Sequence, residues 1–216
     1  GTSLPDDTLL LRGVRVDQDN LAEYAKVCGL RFGDTLPITY PFTLTFPVVM
    51  KLMVSKGFPF AAMGSVHAEN VIEHRRPISA GEPLDIRVHA ADLREHRKGL
   101  LVDVVTEISV GREPVWHQRS TFLHQQRTSL SGTPPKPEPE PEHIPAVPTS
   151  TLRVDQKTID RYAAVSGDRN PIHVSSWAPR PSVSRAPSRT ACGAPQRRCV
   201  PSRPHPGEGH VRGAVR

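Results

Sequence analysis

Fifteen residues near the start of the chain return 138 positions later, and this repeat narrows the architectures open to the protein. Arg15-Val-Asp-Gln-Asp-Asn-Leu-Ala-Glu-Tyr-Ala-Lys-Val-Cys-Gly29 aligns without a gap on Arg153-Val-Asp-Gln-Lys-Thr-Ile-Asp-Arg-Tyr-Ala-Ala-Val-Ser-Gly167, with eight positions identical. Both copies predict the same local structure. Asp17 and Asp155 are candidate N-caps, because a carboxylate can accept from the unsatisfied N–H groups of a first helical turn. Leu21, Tyr24, Ala25 and Cys28 then line one helical face, as do Ile159, Tyr162, Ala163 and Ser166 in the second copy. Gly29 and Gly167 end the helices, where a left-handed residue is cheap only for glycine. The chain therefore reads as two related units, the second beginning near residue 150.

Between the units, Ser131–Pro148 holds seven prolines in eighteen residues. That density favours an extended, semi-rigid connector of polyproline type. Inside the first unit, an apolar run from Leu44 to Met63 predicts a helix over its first part, closed by Gly57 and Pro59. Four strand-like segments follow at about 66–78, 84–93, 99–110 and 114–125, separated by turn chemistry such as Ser79-Ala-Gly-Glu-Pro83 and Gly111-Arg-Glu-Pro114. Consecutive antiparallel strands need one face covered, and the apolar helix is the segment suited to cover it. The expected class is α+β, a sheet wrapped on a helix.

The charge is unevenly placed. The whole chain carries +6, yet the segment from Trp177 to Arg216 alone carries +7, with eight Arg and a single acidic residue, Glu208. The preceding 176 residues are close to neutral, so a nucleic-acid or anionic-membrane partner is not expected for the body. Three cysteines form neither a CxxC pair nor a disulfide framework. No basic segment followed by an apolar run opens the chain, and no 18-residue apolar stretch occurs; a cytoplasmic protein without a membrane partner is expected. His67, His74, His89, His96, His117 and His124 are scattered singly, without metal-ligand spacing. No glycine-rich phosphate loop or nucleophile elbow appears, so neither a metal nor a cofactor is expected.

The second copy of the repeat continues into Ser166-Gly-Asp-Arg-Asn-Pro-Ile-His173. With Tyr162 ahead of it, this segment matches every fixed position of the S-G-D-x-N-P-[aliphatic]-H pattern of MaoC-like hydratases/dehydratases, and the chain resembles that family. The resemblance implies a double hotdog: a catalytically degenerate hotdog over 1–130, a linker over 131–149, and the start of the catalytic hotdog over 150–176. It also implies interconversion of trans-2-enoyl and (3R)-hydroxyacyl thioesters in fatty-acid metabolism. The substrate would be carried by CoA or acyl carrier protein, with a homodimer or a related hotdog subunit as partner.

The residues suit that chemistry. Hydrating an enoyl thioester needs a base to take a proton from water and an acid to protonate C2, roles that a carboxylate and an imidazole can share. The family motif assigns these roles to Asp168 and His173. Ser166, Gly167, Asn170 and Pro171 form the loop and support it: Gly167 lets the chain leave the helix, and Pro171 holds Asn170 extended. In the first unit Gly29 is followed by Leu30-Arg-Phe-Gly-Asp34, which lacks the Asp–Asn–His set, so that unit is expected to be non-catalytic.

After Ser176 the family pattern calls for a central helix and further strands, whereas residues 177–216 have the composition of a disordered basic tail. A reading-frame shift is expected at the start of this segment. Residues 177–193 can be written in codons that, read one base earlier, encode Leu-Gly-Ala-Lys-Ala-Phe-Gly-Phe-Pro-Arg-Thr-Ile-Ala-His-Gly-Met-Trp, which resembles the family's continuation. The missing helix would, by the resemblance, supply backbone N–H donors to the thioester oxygen, so activity of the chain itself is expected to be impaired. The competing expectation is a non-catalytic acyl-binding or partner hotdog subunit.

Overall fold

The computed structural model describes residues 3–132 and 153–168, together with the backbone of 209–214. Both copies of the repeat are helical, as α1 (Gln18–Cys28) and α3 (Gln156–Ser166). Their ends follow the capping chemistry of the sequence. Asp17 Oδ1 accepts from the backbone N–H groups of Asp19 at 2.9 Å and Asn20 at 3.2 Å. Asp155 Oδ1 accepts from Thr158 N at 2.8 Å. Gly29 and Gly167 both sit in the left-handed region, at φ 66° and 74°, where a β-carbon would be strained.

The strands are β1 (Thr8–Val14), β2 (Val66–His74), β3 (Leu84–His96), β4 (Gly99–Val110), β5 (Glu113–Gln125) and β6 (Gly209–Ala214). They form one antiparallel sheet in the order β1-β3-β4-β5-β2-β6. Because side chains alternate along a strand, the register sorts them into two faces. Ile86, Ile108 and Trp116 lie in one cross-strand row on the inner face, and the neighbouring row holds Arg87, Glu107 and His117 on the outer face. The inner face packs on α2 (Tyr40–Met53), whose Val48, Val49, Leu52 and Met53 join Val88, Val102 and Val104 in the core. Helix α2 has no side-chain cap at Thr39. The residue before that cap is instead pinned by Trp116, whose buried Nε1–H donates to Ile38 O at 2.9 Å. Gly99 opens β4 where a β-carbon would lie 1.9 Å from His124 O, so the strand pair tolerates only glycine there. On the outer face the buried Asp103 carboxylate is compensated by Arg94 at 3.1 Å, Arg119 at 3.4 Å and the Thr121 hydroxyl at 2.6 Å, as a carboxylate removed from water requires.

Several expectations are corrected. The apolar helix begins at Tyr40 rather than Leu44, because Pro41 is tolerated in its first turn, and it ends at Met53; Pro47 inside it costs one rung of backbone hydrogen bonding. Strand β1 was not anticipated, since Thr8-Leu-Leu-Leu11 has no apolar–polar alternation. Six residues of the tail expected to be disordered, 209–214, pair antiparallel with β2. Cys28 is disulfide-bonded, against the expectation of no disulfide framework. Among the described residues no helix is long and apolar enough to cross a membrane.

Candidate functional site

The loop that carries the predicted chemistry starts where α3 ends. Ser166 is buried, and its hydroxyl accepts the backbone N–H of Asp168 at 3.2 Å, closing a short turn around Gly167. Asp168 is half-buried at the mouth of that turn. Asn170, Pro171 and His173 lie outside the described residues. Ser166, Gly167 and Asp168 are in place as a tight exit from the helix.

The first unit holds that exit. Asn20, near the start of α1, donates from Nδ2 to Val165 O in the last turn of α3 at 3.1 Å. Its Oδ1 accepts the Tyr40 hydroxyl at 3.0 Å. One amide therefore ties three helices together one residue before Ser166. Three aromatic rings pack beside it: Tyr24 meets Tyr40 edge-on at 5.1 Å between centroids and Tyr162 at 6.2 Å. The Tyr24 hydroxyl shares a hydrogen bond with Thr39 at 2.8 Å. Tyr24 and Tyr162 occupy the same position of the repeat, so equivalent residues of the two units face each other.

Sequence reading missed Asn20 and Tyr40. At the repeat position of Asn20 the second unit has Thr158, so nothing in the repeat marks the amide. Where the second unit has Asp168, the first has Leu30, a half-buried residue packed against the core. Thr35, at the position of His173, forms an isolated bridge with Ser79. The first unit thus uses its copy of the loop for packing. Among the described residues no group of three or more His, Cys, Asp or Glu side chains is placed to hold a metal ion.

The tyrosine cluster is also an electrostatic environment. Burial raises the Tyr162 phenol, and the nearby charges of Tyr24 and Asp168 raise it further. Burial likewise raises Tyr24, with the Thr39 hydrogen bond acting in the opposite sense. Tyr40 is pushed up to about 12 by burial, then by Asp17 and Tyr24. These are the chain's three tyrosines, so a phenolate titration reads this cluster alone. A phenol raised in the folded state keeps its proton where the unfolded chain has released it. The stability it confers is complete below pH 10 and is lost as the pH climbs toward about 12. Ultraviolet titration should show little phenolate at pH 10, where free tyrosine is half ionised. The signal should then rise together with loss of the helical circular dichroism. Half-ionisation at pH 10 with the helices intact would contradict the burial of the cluster.

No family model matches the chain. It is 53% identical over 176 residues to 3-hydroxyacyl-thioester dehydratase X of Mycobacterium tuberculosis, covering 81% of this chain and 62% of that protein. The chain thus spans less than two thirds of that relative's length. One crystal structure of HtdX from the same organism superposes with a TM-score of 0.68 at 52% identity, over 77% of this chain and 66% of that one. A second gives 0.67 at 47% identity, over 78% and 64%. A MaoC-like dehydratase from Phytophthora capsici matches over 81% of this chain and 65% of its own, with a TM-score of 0.57 at 21% identity; at that identity the likeness speaks for the fold alone.

Proposed function

Since the chain is a homologue of 3-hydroxyacyl-thioester dehydratase X with the hotdog fold of MaoC-like dehydratases, we propose that the protein it represents interconverts trans-2-enoyl and (3R)-hydroxyacyl thioesters. The 53% identity over 176 residues carries this reading. In the hydration direction Asp168 and His173 bind one water between them. One takes its proton as the oxygen bonds to C3, and the other delivers a proton to C2; dehydration runs the same steps in reverse. Ser166, Gly167, Asn170 and Pro171 hold the loop, and the thioester is presented by CoA or acyl carrier protein.

Activity belongs, in this proposal, to a chain with a complete second unit. At Trp177 the composition turns arginine-rich, and the alternative frame there resembles the family's continuation. Removing one oxyanion donor alone lowers turnover by about 10²–10³, and by this reading the chain lacks the helix that would supply such donors.

The test is a pair of assays with crotonyl-CoA. A version whose frame is restored after Ser176 should hydrate it, while the chain with the present 177–216 should be slower by at least ~10². Equal, robust turnover by both would refute the frame-shift reading. No turnover by either would favour the alternative, a non-catalytic acyl-binding hotdog subunit.

A further inference from the structure

Arginines far apart in sequence meet on the outer face of the sheet, on the side away from α2. Arg12 of β1, Arg75 just after β2, Arg87 of β3 and Arg112 in the β4–β5 turn line one concavity of about 480 Å³ with Asp85 and Glu107. The two carboxylates are already engaged. Glu107 pairs with Arg87 at 3.0 Å, and Asp85 Oδ1 accepts the Gly13 backbone N–H at 2.8 Å. No ion pair links Arg12, Arg75 or Arg112 to any carboxylate among the described residues. Other arginines nearby are matched: Arg76 is clamped by Glu82 and Glu113, and Arg119 by Glu69 and Asp103. The concavity therefore sets four guanidinium groups against two carboxylates, a net charge of +2 that this unit, close to neutral overall, gathers around one space.

Like charges gathered round a hollow repel one another unless an anion joins them. Guanidinium groups suit phosphate in particular, because their planar fork donates two parallel hydrogen bonds to two of its oxygens. The volume falls within the ~300–1,000 Å³ of small-molecule sites. Exposed Leu10 and Leu11 of the edge strand supply an apolar rim. We propose that this concavity binds a small molecule carrying a phosphate or diphosphate group, at a site distinct from the Asp168 loop. The site differs from the acyl-thioester site in that it needs nothing from the second unit: every lining residue lies in the first.

Inorganic pyrophosphate is the probe, titrated calorimetrically at low salt, where exposed charges are least screened. Binding with a dissociation constant of ~1 mM or tighter is expected, weakened about tenfold by Arg12→Ala and by Arg112→Ala separately. Both residues are exposed, so circular dichroism of the variants should match that of the parent. Arg31→Ala, at an exposed arginine outside the concavity, should leave binding unchanged. No binding by the native chain would overturn the proposal, as would equal weakening by Arg31→Ala. A third variant tests self-occupancy. If Glu138, Glu140 and Glu142 are replaced by Gln and only then does pyrophosphate bind, the site belongs to the chain's own acidic connector and not to a small molecule.

Discussion

Replacing Asp168 by Asn in a chain with a restored second unit should lower crotonyl-CoA hydration by about 10²–10⁴, the range over which a positioned general acid or base contributes. The amide keeps the size of the side chain and cannot exchange a proton at neutral pH. Ser166 still accepts the backbone N–H of residue 168 at its present 3.2 Å, so the turn should persist. The loss should fall on kcat and leave the circular dichroism unaltered. Leu30→Asp, which places a carboxylate at the equivalent point of the first unit, should not rescue it, since Thr35 stands where the imidazole would have to be. Undiminished turnover in Asp168→Asn would remove the carboxylate from the mechanism.

Trp116→Ala should have the largest effect on stability, about 3–5 kcal/mol from the lost ring and the cavity it leaves. That is a large share of the ~5–15 kcal/mol that holds an average domain folded. Trp116 is among the largest fully buried side chains, and it also supplies the one indole hydrogen bond that holds Ile38 ahead of the uncapped α2. Trp116→Phe retains most of the apolar volume and loses only that bond, so it should cost ~1 kcal/mol in urea unfolding. Equal costs for the two variants would mean that the bond to Ile38, and not packing, dominates at this position.

The repeat made α1 and α3 legible to within a residue, because capping aspartates and terminal glycines are local signals that need no knowledge of the rest of the fold. Strands β2 to β5 were legible for a related reason: alternation and turn chemistry are written along the segment itself. β1 was not, because an edge strand of consecutive leucines lacks alternation and is defined by its pairing with β3. The helix exit at Ser166, Gly167 and Asp168 could be read from the motif, whereas Asn20 acts through a carbonyl 145 residues away. The grouping of Arg12, Arg75 and Arg112 around one concavity was not legible either, because strand order and not sequence proximity brings them together.

The meeting of Tyr24 with Tyr162 bears on how such a chain could have arisen. When two identical subunits join about a two-fold axis, a residue close to that axis meets its own copy across the interface. Here the two partners hold the same place in the repeat but belong to one polypeptide, as expected if an ancestral gene for a self-associating single unit was duplicated and fused. Fusion frees the halves from sharing every mutation. One half can then carry Leu30 and Thr35 where the other carries Asp168 and His173, a difference that two identical subunits could not hold. The tyrosine pair would then mark a former symmetry axis, kept by packing while the loops that follow the two helices diverged in sequence.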